Sequence, residues 1–332
     1  MRPMAKSFGG FRAALLAGWM ALGVIGLVFA RAKGIPFAAA LPVIAAFLAE
    51  YPFYLVAAFP EVRQRLARAT IAVGSSLQPA LPAILTGSLL LPYLLCSLGA
   101  IRFDPLAAVR LAALGLAFSL WYVIFPAALL FDAAYLALIG WVTLGHYFDG
   151  IYPRFAGQHL EVLGAIGLLH VVALSLMLVR PIAETGWGFW PNQREWIIGV
   201  RHYLFFLAVG GPLAFALRAA HVAAVPASFW LIAGTFFGSL WVSSLAEEFL
   251  FRGVLQQWME DWTGNARAAL LVTSVIFGLA HLWFRGFPNW RWVPVVTVLG
   301  WLCGRARNQA ASIRASAVTH ALVVTTWRTF FV

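Results

Sequence analysis

The chain alternates long apolar runs with short charged breaks. A helix needs about 20 mostly apolar residues to cross a hydrocarbon core. Runs suited to this cover Phe11–Ala30, Pro36–Phe59 and Leu81–Ile101. From Pro105 to Tyr147 the chain is apolar for too long to be one span, and Pro126 is the natural break between two. Further runs cover Val162–Val179, His202–Leu217, Phe229–Phe251, Ala268–Trp283, Trp292–Cys303 and Ser316–Phe331. The pattern predicts an all-α, polytopic integral membrane bundle of about 10–11 transmembrane helices. Between the sixth and seventh runs, Arg180–Arg201 mixes Glu184, Asn192, Gln193, Arg194 and Glu195 with Trp187, Phe189, Trp190 and Trp196. Aromatic rings among charges belong at a membrane surface, so this stretch reads as a loop and an interfacial helix. It also divides the chain into an N-terminal membrane region, residues 1–195, and a C-terminal region, residues 196–332. No fixed-period repeat is visible.

Composition fits this reading. The chain has 332 residues, 62% of them hydrophobic and 11% charged, a balance unlike that of a soluble domain. Its formal net charge of +11 raises the question of nucleic acid. The basic residues, however, are spread over short loops, which is the pattern of a membrane-orientation signal, and no nucleic-acid partner is expected. With a cytoplasmic N-terminus, eleven spans put Arg63/Arg65/Arg68, Arg180/Arg194/Arg201, Arg252/Arg267 and Arg305/Arg307/Arg314 on the cytoplasmic side. The opposite side receives Arg31, Lys33, Arg102, Arg154, Arg218, Arg285 and Arg291. Short loops and few lysines point to a bacterial inner membrane. No A-x-A cleavage site follows the first apolar run, so that run reads as a retained anchor. The two cysteines, Cys96 and Cys303, lie in separate runs and give no disulfide framework or metal signature.

Ionisable residues inside apolar runs are costly and mark candidate function. Asp132 is an isolated intramembrane acid. The sequence Glu247-Glu248-x-x-x-Arg252 carries two adjacent carboxylates and an arginine at the end of an apolar run. Glu248 and Arg252 are four apart, on one helical face, whereas Glu247 points about 100° away. This predicts a division of labour: Arg252 neutralises Glu248 and leaves Glu247 for chemistry. The bland alternative is a structural ion pair with one snorkelling acid. Of the seven histidines, five read as interfacial or satisfied. His281 and His320 lie inside late apolar runs, and His281 has Phe277 one turn earlier on its face. Glu247, His281 and His320 come from three separate helices, which suggests one polar pocket inside a bundle.

In order, Glu247-Glu248-x-x-x-Arg252, Phe277-x-x-x-His281 and the late intramembrane His320 resemble the three motifs of the CPBP family. This is the CAAX-processing-protease and bacteriocin-processing family of intramembrane endopeptidases, once called Abi. The resemblance covers roughly Trp196–Phe331, and the first half then reads as an accessory membrane region. It implies peptide-bond hydrolysis by a glutamate-activated water. By it, Glu247 and His281 hold and deprotonate the water, His320 helps stabilise the oxyanion, and Glu248, Arg252 and Phe277 support them. The substrate it implies is a membrane-associated protein or peptide in the lipid bilayer.

The chain departs from the family at one position. The third motif usually continues to an Asn or Asp four residues after the histidine, and here that residue is Val324. The oxyanion site would then rest on His320 with a backbone or hydroxyl donor, and Thr325 is the neighbouring hydroxyl. No cofactor is expected. A zinc site at Glu247, His281 and His320 is the less favoured alternative, because there is no HExxH pair and the ligands would come from three distant helices. A transporter should show paired repeats and broken helices, which the sequence lacks. A non-proteolytic membrane scaffold or immunity protein of the same fold is the more serious rival.

Overall fold

A computed structural model describes residues 2–71, 80–180, 182–183, 185–222 and 228–331. The expected charge at Glu184 lies outside these residues. Within them the chain is 78% helical with no strands and has 12 helices, an all-α polytopic bundle. They are α1 (Arg2–Ala32), α2 (Phe37–Val56), α3 (Pro60–Ile71), α4 (Ala80–Cys96), α5 (Pro105–Ile124), α6 (Leu129–Leu144) and α7 (Glu161–Leu178), followed by α8 (Gln193–Ala216), α9 (Phe229–Thr263), α10 (Ala266–Leu279), α11 (Trp292–Ala310) and α12 (Ile313–Phe330). Six helices, α1, α2, α5, α7, α8 and α9, are long and apolar enough to cross a membrane, while α4, α6 and α10 are shorter apolar helices. The chain is an integral membrane protein. It divides into two compact units, Met1–Pro181 and Ile182–Val332.

In the first unit α4 packs against α2, α5 and α7. Its core is apolar, from Leu85, Leu89 and Tyr93 on α4 to Leu163, Val171 and Leu174 on α7. Polar groups inside it find partners across helices. Ser88 Oγ lies 2.7 Å from Nε2 of the fully buried His170. Asp132, expected to be isolated, is not. Its carboxylate accepts from Arg180 at 2.9 Å and from the Tyr122 hydroxyl at 2.8 Å. A buried acid costs least when charge and hydrogen bonds meet it together, and both partners were too distant in sequence to be read as such. The expected break at Pro126 falls between α5 and α6. The basic stretch with Arg63, Arg65 and Arg68, read as a loop, is the helix α3. Arg63 turns inward to donate to the Ala57 carbonyl at 2.8 Å.

In the second unit α12 is the central post. It packs against α8, α9 and α11, and most of its residues are buried. Two sequence expectations change here. The interfacial helix and the seventh span are one helix, α8, started by a capping box in which Asn192 and Glu195 satisfy each other's backbone amides. Glu195 also takes a bidentate grip from Arg314 on α12. The run that was read as ending near Phe251 continues to Thr263, so Arg252 is not in a loop but fully buried in α9. The run before Cys303 extends to Ala310. α9 has 35 residues. Its length of about 50 Å exceeds a hydrocarbon core of about 30 Å, which requires tilt or projection beyond it.

The Asp132–Arg180 pair gives a test of the first unit. Asp132→Ala leaves a guanidinium without its acid, and removing one partner of a buried pair costs about 3 kcal/mol or more. The expected result is a lower thermal midpoint in detergent for Asp132→Ala. Asp132→Asn, which keeps an acceptor, should lie between it and the wild type.

Candidate active site

The polar cluster is assembled by four helices of the second unit. Glu247, Glu248 and Arg252 come from α9, His281 from the turn after α10, the Gly300 carbonyl from α11 and His320 from α12. Around the two glutamates α9 is not a regular α-helix. Ser239–Ser243 and Phe249–Leu255 form wider π-type turns on either side of Ser244–Glu248. Such turns shift the phase of side chains and recur at functional sites.

Arg252 and Glu248 form the buried base of the cluster. Arg252 Nη1 donates to Glu248 Oε1 at 3.2 Å, and Nη2 donates to the Gly300 carbonyl at 3.0 Å. The guanidinium lies over the Phe277 ring, 4.2 Å from its centroid. This adds a cation–π contact in a site shielded from water. Gly300 permits the approach: a Cβ there would stand 3.1 Å from Phe277 and 3.2 Å from the Cα of Ser274. Small residues let helix backbones come this close. Glu248 Oε1 also meets His320 Nδ1 at 2.8 Å. A carboxylate only accepts, so the ring proton is on Nδ1 and His320 Nε2 faces away from Glu248.

His281 is held differently. Its Nδ1–H donates to the Phe277 carbonyl one turn earlier, at 2.8 Å. That leaves Nε2 directed at the second glutamate, at 3.8 Å from Glu247 Oε2. His320 Nε2 lies 3.9 Å from the same oxygen. Glu247 Oε2 makes no hydrogen bond within the protein, and the side chain is 37% exposed while Glu248 is fully buried. Phe277 is the common spacer, edge-on to both rings, at 4.9 Å from His281 and 5.7 Å from His320.

The fold places Glu247, His281 and His320 beside one another, with Glu248, Arg252 and Phe277 behind them. Thr325 stands apart. Its hydroxyl donates to the Ala321 carbonyl at 2.7 Å, within its own helix. The next hydroxyl, Thr326, bonds Tyr203 at 2.8 Å. Sequence reasoning missed Gly300, whose only signal was a glycine within an apolar run, and the π-type turns, for which no residue pattern speaks. Among the described residues, no three or more His, Cys, Asp or Glu side chains are spaced to hold a metal ion.

Residues 228–326 match the family described as Rce1-like: type II CAAX prenyl endopeptidase Rce1-like. The matched segment spans Glu247, Glu248, Arg252, Phe277, His281, His320 and Thr325, and agrees with the resemblance drawn from the motifs. The match supports a CAAX-type membrane protease fold for this part of the chain. Comparison with curated proteins and with solved structures gave no match.

The buried pair predicts a specific stability pattern. Arg252→Met strands the Glu248 charge in a closed site and should cost about 3–5 kcal/mol. Adding Glu248→Gln removes that stranded charge and keeps an acceptor for His320. Thermal unfolding of the double variant in detergent should recover part of the loss, and no recovery would mean that Arg252 acts through packing alone.

Proposed function

We propose that the chain is an intramembrane endopeptidase in which Glu247 activates a water molecule, working with His281 and His320. The observation that carries this is the convergence of two imidazole Nε2 atoms, at 3.8 and 3.9 Å, on one carboxylate oxygen that has no hydrogen-bond partner among the described residues. Both separations exceed direct hydrogen bonding and suit a bridging water. With its Nδ1 proton engaged by the Phe277 carbonyl, His281 turns Nε2 towards the water site. A water can then donate one proton towards Glu247 and the other towards His281, leaving an oxygen lone pair for attack on a peptide carbonyl. Glu247 takes the proton as the water adds, and returns it to the leaving nitrogen as the C–N bond breaks.

His320 has the opposite character. Its Nδ1–H is held by the Glu248 carboxylate, whose charge faces the ring. His320 Nε2–H is thus suited to donate to the oxyanion as charge develops there, in a site with little water. Glu248, Arg252 and Phe277 are positioning residues, since they touch the two imidazoles or the groups that hold them and not the reacting atoms. The substrate class we propose is a membrane-associated protein or peptide. The match to a CAAX prenyl endopeptidase family makes prenylated C-terminal tails the first kind to try.

No metal takes part in this reading. Its rival is a metal held by the same Glu247, His281 and His320, because both imidazoles are anchored through Nδ1, as metal-ligating histidines usually are. Activity that survives strong chelation, without recovery on adding zinc, supports the water mechanism, and loss with zinc rescue supports the rival.

The direct test compares the C-termini of membrane proteins by mass spectrometry in cells carrying the wild-type chain, Glu247→Gln or no gene. A cut seen with the wild type and absent with Glu247→Gln is expected. Because Glu247 is partly open and makes no internal hydrogen bond, Glu247→Gln should leave the thermal midpoint nearly unchanged. His320→Ala should lower the cleavage rate by about 10²–10³, the usual effect of losing one oxyanion donor. If wild type and Glu247→Gln give the same termini while deletion still has a phenotype, the chain is a non-proteolytic scaffold.

A further inference from the structure

A second polar feature of the C-terminal unit is not used by this chemistry. Between α8 and α11 runs a groove of about 490 Å³, with Arg201, Arg305 and Gln309 at one end and Phe205, Val209, Val298 and Trp301 along its length. The two helices bring their charged positions to the same end: Arg194 Nη2 donates to the Gln309 carbonyl at 3.1 Å, and Arg201 bonds the Gln309 side chain. From Arg201 to Val209 is eight residues and from Arg305 back to Val298 is seven, so both apolar walls extend about 10–12 Å from the arginines. Arg305 lies over the Trp301 ring, 5.0 Å from its centroid, which holds it along the groove.

The groove joins a cationic end to an apolar wall, and among the described residues the cationic end has no counter-ion. Among the described residues neither Arg201 nor Arg305 pairs with a carboxylate. Glu195, the acid on the first turn of α8, is occupied by Arg314. The lining contains no acid. Phe205, Val209 and Trp301 are exposed, as residues facing acyl chains are.

From this we propose that the groove binds an anionic phospholipid, with its phosphate between Arg201 and Arg305 and one acyl chain along Phe205, Val209, Val298 and Trp301. Basic pockets between transmembrane helices are suited to phosphate head groups. Arginine's planar fork is suited to phosphate oxygens. A zwitterionic lipid brings its own cation, which no acid in the groove can meet, so an anionic head group is preferred. The site lies on helices α8 and α11, away from Glu247, and stands whether or not the chain is a peptidase.

The test uses the full chain purified in detergent. Retained lipid is counted by native mass spectrometry after incubation with phosphatidylglycerol or phosphatidylcholine, and excess inorganic phosphate is then added as a competitor. Phosphatidylglycerol should be retained in preference to phosphatidylcholine. The double variant Arg201→Gln, Arg305→Gln should lower its retention on the order of tenfold or more, since each cation near a head group contributes appreciably. Arg291→Gln, on an exposed arginine at the other end of α11, should leave retention unchanged. Val209→Trp, which fills the groove without touching its charge, should also displace the lipid. Lipid-free thermal midpoints report whether each variant is folded. The proposal is overturned if the folded double variant keeps the lipid, if phosphatidylcholine is retained equally, or if inorganic phosphate displaces phosphatidylglycerol, which would make the site one for a free anion.

Discussion

The ion pair between Glu248 and Arg252 is the constraint around which the C-terminal unit is organised. Both side chains are closed off from solvent, and two charges in such a place are tolerated only when they face each other and further groups add hydrogen bonds and ring contacts. The partners come from the neighbouring helices: the Phe277 ring on α10, the Gly300 carbonyl on α11 and the His320 ring on α12. Satisfying one buried pair therefore fixes how four helices meet. The two imidazoles follow from it. His320 is oriented by Glu248 itself, and His281 by the backbone of the Phe277 on which Arg252 rests.

Much of this was legible in the sequence because it rests on short spacings. The four-residue interval between Glu248 and Arg252, the same interval from Phe277 to His281, and the 100° offset of Glu247 are properties of any helix. What failed were inferences from polarity alone. Arg252 was read as ending its span, because a charge normally marks the edge of an apolar run. Internal neutralisation lets α9 continue twelve positions past Phe251 to Thr263. The basic stretch with Arg63 was read as a loop for the same reason, and it is a helix whose arginine is turned inward. Asp132 looked isolated because its partners, Tyr122 and Arg180, are ten and forty-eight residues away. The π-type turns about Glu247 and the close approach at Gly300 depend on packing between helices, for which local sequence carries no periodic signal. Thr325 looked available as a donor, but a hydroxyl on a buried helix turns back to its own carbonyls unless another acceptor is nearer.

Adjacent glutamates are the same chemical group, and the fold gives them opposite surroundings. Glu248 is surrounded by Arg252 and His320 and is held as an acceptor for both. Glu247 is partly open and keeps an oxygen with no hydrogen bond among the described residues, faced by two ring nitrogens just beyond hydrogen-bond reach. An acid closed off from solvent and bonded through one oxygen to an arginine and a histidine is a structural element, while a partly open acid whose neighbours are spaced for one small molecule is a reactive one. One residue step along a helix is enough to separate the two roles.

The same logic of facing applies to arginines in this unit. Arg252 is buried between α9 and α11, and its charge is consumed by Glu248 and the Gly300 carbonyl. Arg305, one and a half turns beyond Gly300 on α11, points to the other side of that helix, where Trp301 steadies it and, among the described residues, no carboxylate answers it. A helix that turns a backbone carbonyl inward to a protein cation and a side-chain cation outward along an apolar groove separates two electrostatic problems. The inner one is closed within the protein. The outer one is left for the surroundings to close, and in a bilayer the anions that come with an apolar tail are lipids.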